Sequence, residues 1–446
     1  MTRYMRNRIA VILSLSLIFT FAVNGQPSRQ DDLAAQSALV SELDVNGLKV
    51  ILKRRPGSPT VAGAVFIRGG SRNIDEKTAG IENLMLSTAI EAGRNKPRQT
   101  VRRELASMGS AIGASVTNDF SAVSFGTTRG NFNRLWDILA EVTLNPAFAE
   151  DDIKRNREQI LTGLRESGTL PESALEAVQD KALYSGHPYS NDVLGTIETI
   201  SAISPAAIRD HHKKLMETSR LLIVIVGDLD PDDLKAKVAG TFGKLPRGNY
   251  TDPKYPALDF SKGTIDSLQR SLPTNYVKGS FAAPSPGSKD YYAMRVAISI
   301  LQTLVYQTVR QQLQLSYAPD AEMNNLSINT ANISVSTTDP NRAVGVMLQQ
   351  IGFLKERTLN EAVIDEISSF FLTRHYIGLE TSGAQVADLA LYELIGGGWR
   401  NSFEFMNGVR AVKPEDIRDV ANRYMKNIRF SYVGDTSVIK KSVFVQ

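Results

Sequence analysis

The polar and apolar positions of this chain change period several times. Near the start of the regular pattern, Ser41–Val45 and Leu48–Lys53 are two short β-like runs. Asn46-Gly47 lies between them, which predicts a tight hairpin. Thr60–Ile67 and Phe120–Thr127 read as further strands. The period then lengthens to that of a helix, from about Asn131 to Val142 and again over Ala149–Glu166. Leu221–Asp228, LLIVIVGD, is a continuous apolar run ending in Val-Gly-Asp. A helix that starts at Ser204-Pro205 and runs to Met216 precedes it, with proline at a favoured first position.

The same order then recurs. Asn332–Thr337 is β-like, Arg342–Leu354 and Asn360–Gly378 are helical, and Lys413-Pro414 opens a helix that runs to Met425. Arg429–Asp435, RFSYVGD, ends in Val-Gly-Asp again, with Gly434 lying 207 residues after Gly227. An internal duplication with a period of roughly 200 residues accounts for this. Pro246, Pro253 and Pro256 break regular structure in the stretch 245–263. The sequence therefore divides into a first domain over 26–244, a linker over 245–263 and a second domain over 264–446. Hairpins exclude a purely parallel sheet. The expected class is α+β: two homologous domains, each a mostly antiparallel sheet packed with helices. Gly396-Gly397-Gly398 follows a helical run without the strand–loop–helix context of a phosphate cradle, and reads as a helix end and connector.

Residues 1–25 read as a targeting segment. Arg3, Arg6 and Arg8 precede the uncharged, largely apolar run Ile9–Val23, and cleavage is expected before Gln26. Fifteen residues are short for a membrane span of about 20. The formal charge is +4, but these three arginines supply most of it, so the mature chain is close to neutral. No Lys/Arg stripe with interleaved aromatics suggests nucleic acid. There is no cysteine, which excludes disulfides, thiol catalysis, thiolate metal sites and a lipid-anchored cysteine. Export, with the bacterial periplasm as destination, fits both features.

More specific signals follow. Leu183–Gly195, LYSGHPYSNDVLG, contains Gly-His-Pro-Tyr and runs on through Leu-Gly-Thr to the helix at Pro205 and the Val-Gly-Asp strand. Asn46-Gly47-Leu48, and Gly70-Ser71-Arg72 leading into Ala79-Gly80, complete the set. In this order and spacing the chain resembles the pitrilysin/insulinase (inverzincin) metallopeptidase family over about residues 40–440. The resemblance implies the insulinase or mitochondrial-processing-peptidase type of fold. It also implies a helix at Ala79–Gly93 that should carry His-x-x-Glu-His. Two histidines at i and i+4 share a helix face and reach one metal, and the glutamate activates the bound water.

This chain departs from that pattern at every donor. Asn83 and Ser87 stand at the histidine positions and Leu86 at the glutamate position. Gly163, 76 residues after Ser87, stands where a second helix should offer a carboxylate. No histidine precedes His187. His187 reads as a turn residue, His211 and His212 point about 100° apart on one helix, and His375 reads as a helix-surface residue. No cofactor is expected in this chain.

The second half keeps what the first has lost. Val309–Tyr317, VRQQLQLSY, holds Arg310 seven residues before Tyr317, with Leu315 in place; Gln314 stands where the family usually has glycine. The segment before Arg310, QTLVYQTV, is shorter than the glycine-rich loop often found there. By composition alone, Arg310 reads as a surface helix residue and Tyr317 as a half-buried strand residue. The resemblance implies that Arg310 holds a backbone carbonyl of an extended peptide, and that Tyr317 donates to a developing oxyanion at another chain's zinc. The expected protein is the non-catalytic, substrate-binding subunit of an exported heterodimeric zinc metallopeptidase, inactive alone. Its partner would be a homologous subunit with an intact His-x-x-Glu-His motif, supplying the zinc. The alternative is a non-peptidase binding or scaffold protein of an envelope complex.

Overall fold

A computed structural model describes residues 35–445; the expected targeting segment and cleavage position lie outside the described residues. The first half contributes strands β1 (Val40–Val45), β2 (Leu48–Arg54), β3 (Thr60–Arg68), β4 (Ala111–Val116), β5 (Phe120–Thr128) and β6 (Leu221–Gly227). Its helices are α1 (Ile81–Ala89), α2 (Arg98–Met108), α3 (Phe132–Leu144), α4 (Glu150–Ser167), α5 (Pro171–Tyr184), α6 (Ile197–Ala202), α7 (Pro205–Leu215) and α8 (Pro231–Gly240). The second half has β7 (Thr264–Gln269), β8 (Asn275–Ala282), β9 (Asp320–Met323), β10 (Thr330–Thr337) and β11 (Arg429–Gly434). Its helices are α9 (Tyr291–Val305), α10 (Pro340–Glu356), α11 (Glu361–Gly378), α12 (Ser382–Ile395), α13 (Arg400–Arg410), α14 (Pro414–Tyr424) and α15 (Lys441–Phe444).

The duplication is visible in the sheets. The first runs β1-β2-β6-β3-β5-β4 and the second β7-β11-β8-β10-β9. With β1 set aside the orders are the same, and in each the Val-Gly-Asp strand pairs in parallel with the first strand while the other neighbours are antiparallel. The Asn46-Gly47 hairpin forms as read, with Val45 opposite Leu48 and both turn residues at positive φ.

β6 is apolar throughout because it is central and covered on both faces. Leu221, Ile223 and Ile225 join the core beneath α1, α3 and α7, whereas Leu222, Val224 and Val226 face the other way. What they meet is α12, from the second half, through Val386, Leu389 and Ala390. The converse also holds: α5 of the first half lies on the second sheet, with Ala174 and Leu175 against Val433 of β11. Each half thus lends a helix to cover the other's sheet.

Gly396-Gly397-Gly398 does end a helix, α12. Among the described residues no helix is long and apolar enough to cross a membrane.

Candidate functional site

α1 is the helix at which metal donors would be sought. Gly80 opens it at φ 82°, packed against Gly195, also at φ 82°. A Cβ on Gly80 would lie 2.6 Å from the Cα of Gly195. The Ala-Gly and Leu-Gly-Thr motifs are therefore two sides of one backbone contact, which only residues without a side chain allow.

Asn83 and Ser87 are half-buried on one face of α1, while Leu86 is 2% exposed and belongs to the core. Gly163 is exposed on α4, with open space where a Cβ would stand, so a longer side chain would fit there. An amide, a hydroxyl and two groups with no donor do not make a zinc site. Among the described residues no three His, Asp or Glu side chains come together in a way that could hold a metal. The carboxylate that α1 does carry, Glu82, is buried and satisfied: Ser121 Oγ donates to it and His211 Nε2 lies 3.3 Å away. α1 runs beside β4, an edge strand of the first sheet.

The histidines take separate roles. His187 accepts from the Tyr189 amide through Nδ1, so its Nε2–H donates to the Pro256 carbonyl; this is a turn lock. His212 is buried with Nε2 at 2.8 Å from the Thr143 carbonyl, and burial pushes its pKa down. His375 is half-buried on α11 rather than fully on the surface. It stacks on Phe405 with ring centroids 5.0 Å apart, and burial, with Lys53 nearby, lowers its pKa.

The second half brings Arg310 and Tyr317 together. The segment before Arg310 is not a loop: α9 runs on without a break into a π-helical turn over Tyr306–Gln312. Wider turns of this kind recur at functional sites. Gln314 then takes φ 51°, the left-handed region that accounts for glycine at this position in the family. The Leu315 amide donates back to the Val309 carbonyl at 2.8 Å, and Thr337 Oγ1 donates to the Leu315 carbonyl at 2.7 Å. This reversal lays Tyr317 over Arg310, with the guanidinium carbon 4.1 Å from the Tyr317 ring centroid and 5.0 Å from that of Tyr306. Tyr317 lies outside any strand and is 78% exposed, so the half-buried strand reading does not hold. Among the described residues neither the guanidinium nor the phenol makes a hydrogen bond or ion pair, which leaves both free to donate outward.

One cluster was not read from the sequence. Asp119, 3% exposed, accepts from Arg72 Nη1 at 2.8 Å, from Tyr189 OH at 2.7 Å and from the Ser327 amide at 2.9 Å; Ser327 Oγ also donates to it. Arg72 Nη2 donates at 2.8 Å to Asp252. First half, connecting segment and second half are tied at one point. Its signal was present: Gly70-Ser71-Arg72 and Gly-His-Pro-Tyr were both singled out as motifs, but nothing in their spacing placed them at a shared carboxylate.

Two sheets of matching order, helices exchanged between them and an α1 without the His-x-x-Glu-His set define a duplicated metallopeptidase-like protein. Family models agree: residues 49–197 match insulinase (peptidase family M16) and residues 202–369 match the peptidase M16 inactive domain. The chain belongs to this insulinase-type M16 family. It is 22% identical to an uncharacterized zinc protease of Mycobacterium leprae over 90% of this chain and 93% of that one. It is 21% identical to the β subunit of the mitochondrial-processing peptidase of Saccharomyces cerevisiae, over 90% and 92%. The M16 inactive domain structure from Pseudomonas fluorescens shares the fold, with a TM-score of 0.81 at 19% identity, covering 90% of this chain and 99% of that one.

Proposed function

We propose that this chain is the non-catalytic, substrate-binding subunit of an exported, heterodimeric zinc metallopeptidase that cleaves unfolded peptides. The observation that carries the reading is the exposed Arg310–Tyr317 stack, in a chain whose own α1 lacks the His-x-x-Glu-His donors and, among the described residues, gathers no cluster that could hold a metal. Arg310 offers a planar set of donors suited to a peptide carbonyl. Tyr317 offers a hydroxyl suited to an oxyanion at a zinc held by a homologous partner with His-x-x-Glu-His. An extended peptide would add to a sheet edge such as β4 by backbone hydrogen bonds. The relative in yeast is by name a peptidase subunit, which supports a divided enzyme.

The test is reconstitution. This chain, mixed with a purified partner bearing the intact motif, is expected to give zinc-dependent cleavage of unfolded peptides that neither chain gives alone. Removing one oxyanion donor costs about 10²–10³ in kcat, so Tyr317→Phe should fall in that range and Arg310→Ala should mainly raise KM. Unchanged activity in the double variant refutes the role.

The second reading, a scaffold of an envelope complex, has its own support. The chain is 25% identical over 265 residues to subunit 1 of the bovine cytochrome b-c1 complex. Recovery from native envelopes within a membrane complex, with no homologue carrying the zinc motif, favours it.

A further inference from the structure

A cavity of about 470 Å³ lies where the two halves meet, apart from the Arg310–Tyr317 pair. The first half supplies Lys53 of β2 together with Ala35 and Gln36 before β1, and α11, α12, α13 and Leu379 of the second half supply the rest. Its size is that of a small-molecule pocket.

Lys53 is the unusual member. It is 9% exposed, and among the described residues its ammonium makes no hydrogen bond or ion pair; its neighbour is the Phe403 ring, 5.1 Å to the centroid. Burying an unpaired charge is costly, and burial accordingly pushes the Lys53 pKa down. Asp388 lines the same cavity. Ser402 Oγ donates to its Oδ2, and Oδ1 has no partner among the described residues. No ion pair joins Asp388 to Lys53, although each feels the other's charge. Gln385, three residues before Asp388 and on the same helix face, donates from Nε2 to the Leu379 carbonyl, while its buried Oε1 receives nothing. His375 also lines the wall, held towards its neutral form by burial and by Lys53. The cavity thus holds one cation and one anion, unjoined, beside an apolar wall of Leu389, Phe403 and Met406.

We infer that this cavity binds a small apolar α-amino acid as its zwitterion. The carboxylate meets Lys53, the ammonium meets Asp388, and the side chain lies against Leu389, Phe403 and Met406. A zwitterion supplies both missing charges at once and adds no net charge, whereas a simple acid would face Asp388 and a simple amine would face Lys53. An ammonium has three donors, and Asp388 Oδ1 with Gln385 Oε1 are the acceptors left without partners. Because the ligand would contact both halves, binding would also raise the thermal midpoint.

Isothermal titration of the full mature chain with L-leucine, L-methionine and L-phenylalanine tests this. Saturable one-to-one binding of at least one is expected. 4-Methylpentanoate, which lacks the ammonium, and 3-methylbutylamine, which lacks the carboxylate, should each bind about tenfold or more weakly than leucine, the fold-change for losing a charged hydrogen bond. Lys53→Met and Asp388→Asn should each weaken leucine binding by about the same factor, with the folded state confirmed by circular dichroism. Absence of amino-acid binding into the millimolar range overturns the inference. So does binding of the acid or the amine as tight as that of leucine. The analogue comparison needs only the natural chain, so it stands even if a variant misfolds.

Discussion

Replacing Asp119 with alanine tests how the two halves are held. The carboxylate is buried and takes four donors, from Arg72, Tyr189 and twice from Ser327. Its removal leaves the Arg72 guanidinium, itself 8% exposed, with Asp252 as its one carboxylate partner among the described residues and Ser327 Oγ as a neutral acceptor. Breaking a buried pair by deleting one partner costs about 3–5 kcal/mol, mainly because a charge is left uncompensated. Asp252 is a third exposed and remains 2.8 Å from Arg72 Nη2, which places Asp119→Ala at the low end, about 3 kcal/mol. Asp119→Asn keeps the volume but turns an amide N–H₂ towards existing donors, and should cost about 2 kcal/mol. Urea titration at neutral pH, followed by far-UV circular dichroism, reads these losses as a lower midpoint. The double variant Arg72→Met with Asp119→Leu removes both charges together and should lose less than the two single losses added, by about 1.5 kcal/mol or more. A single-variant loss below about 1 kcal/mol, or strict additivity, would refute the claim that this carboxylate joins the halves.

Gly80→Ala should cost about 2–4 kcal/mol, because positive φ and a 2.6 Å approach to Gly195 are violated together; a thermal midpoint like that of the natural chain would contradict this. Leu389→Ala, on the lent helix α12, should cost about 3 kcal/mol in the same urea assay, as a buried leucine facing another half's sheet. Asp388→Asn should stabilise the free chain at pH 7 by about 1–3 kcal/mol, since burial pushes the Asp388 carboxyl up to about 6 from 3.8. The native state holds that proton more tightly, so stability falls as pH rises from about 4 to about 6. The gain from asparagine should therefore vanish below about pH 4, and a gain independent of pH would rule the explanation out.

Much of the fold was legible because its signals are local. The Asn46-Gly47 turn, the Val-Gly-Asp strands and the proline-started helices each carry their cause within a few residues. The repeat of their order then exposed the duplication. The exchange of α5 and α12 was not legible. An apolar stripe such as Val386–Leu389–Ala390 shows that a helix is covered, not which sheet covers it. Arg310 and Tyr317 were legible only as a spacing, since the π-turn and the left-handed Gln314 that stack them depend on how α9 ends. Asp119 was not found because its four donors come from three distant segments, and no periodicity marks a residue placed by tertiary contact.

The exchanged helices bear on how the Arg310–Tyr317 pair can be used. α12 covers the first sheet, α5 covers the second, and the Asp119–Arg72 pair joins the halves through Ser327 and reaches the connecting segment at Asp252. Opening the halves apart would expose the apolar faces of both sheets, so the chain behaves as one body rather than as two jaws. α1 has meanwhile been absorbed into that body. Leu86 packs in the core, Asn156 Nδ2 reaches Thr88 Oγ1, and Thr88 Oγ1 donates to the Leu84 carbonyl. The position of the expected glutamate and its neighbours on α1 are thus rebuilt as packing. Under the proposed function a fixed body with an outward-facing Arg310–Tyr317 stack has one use for it: the reacting carbonyl must be brought by a second chain that closes over the exposed tyrosine.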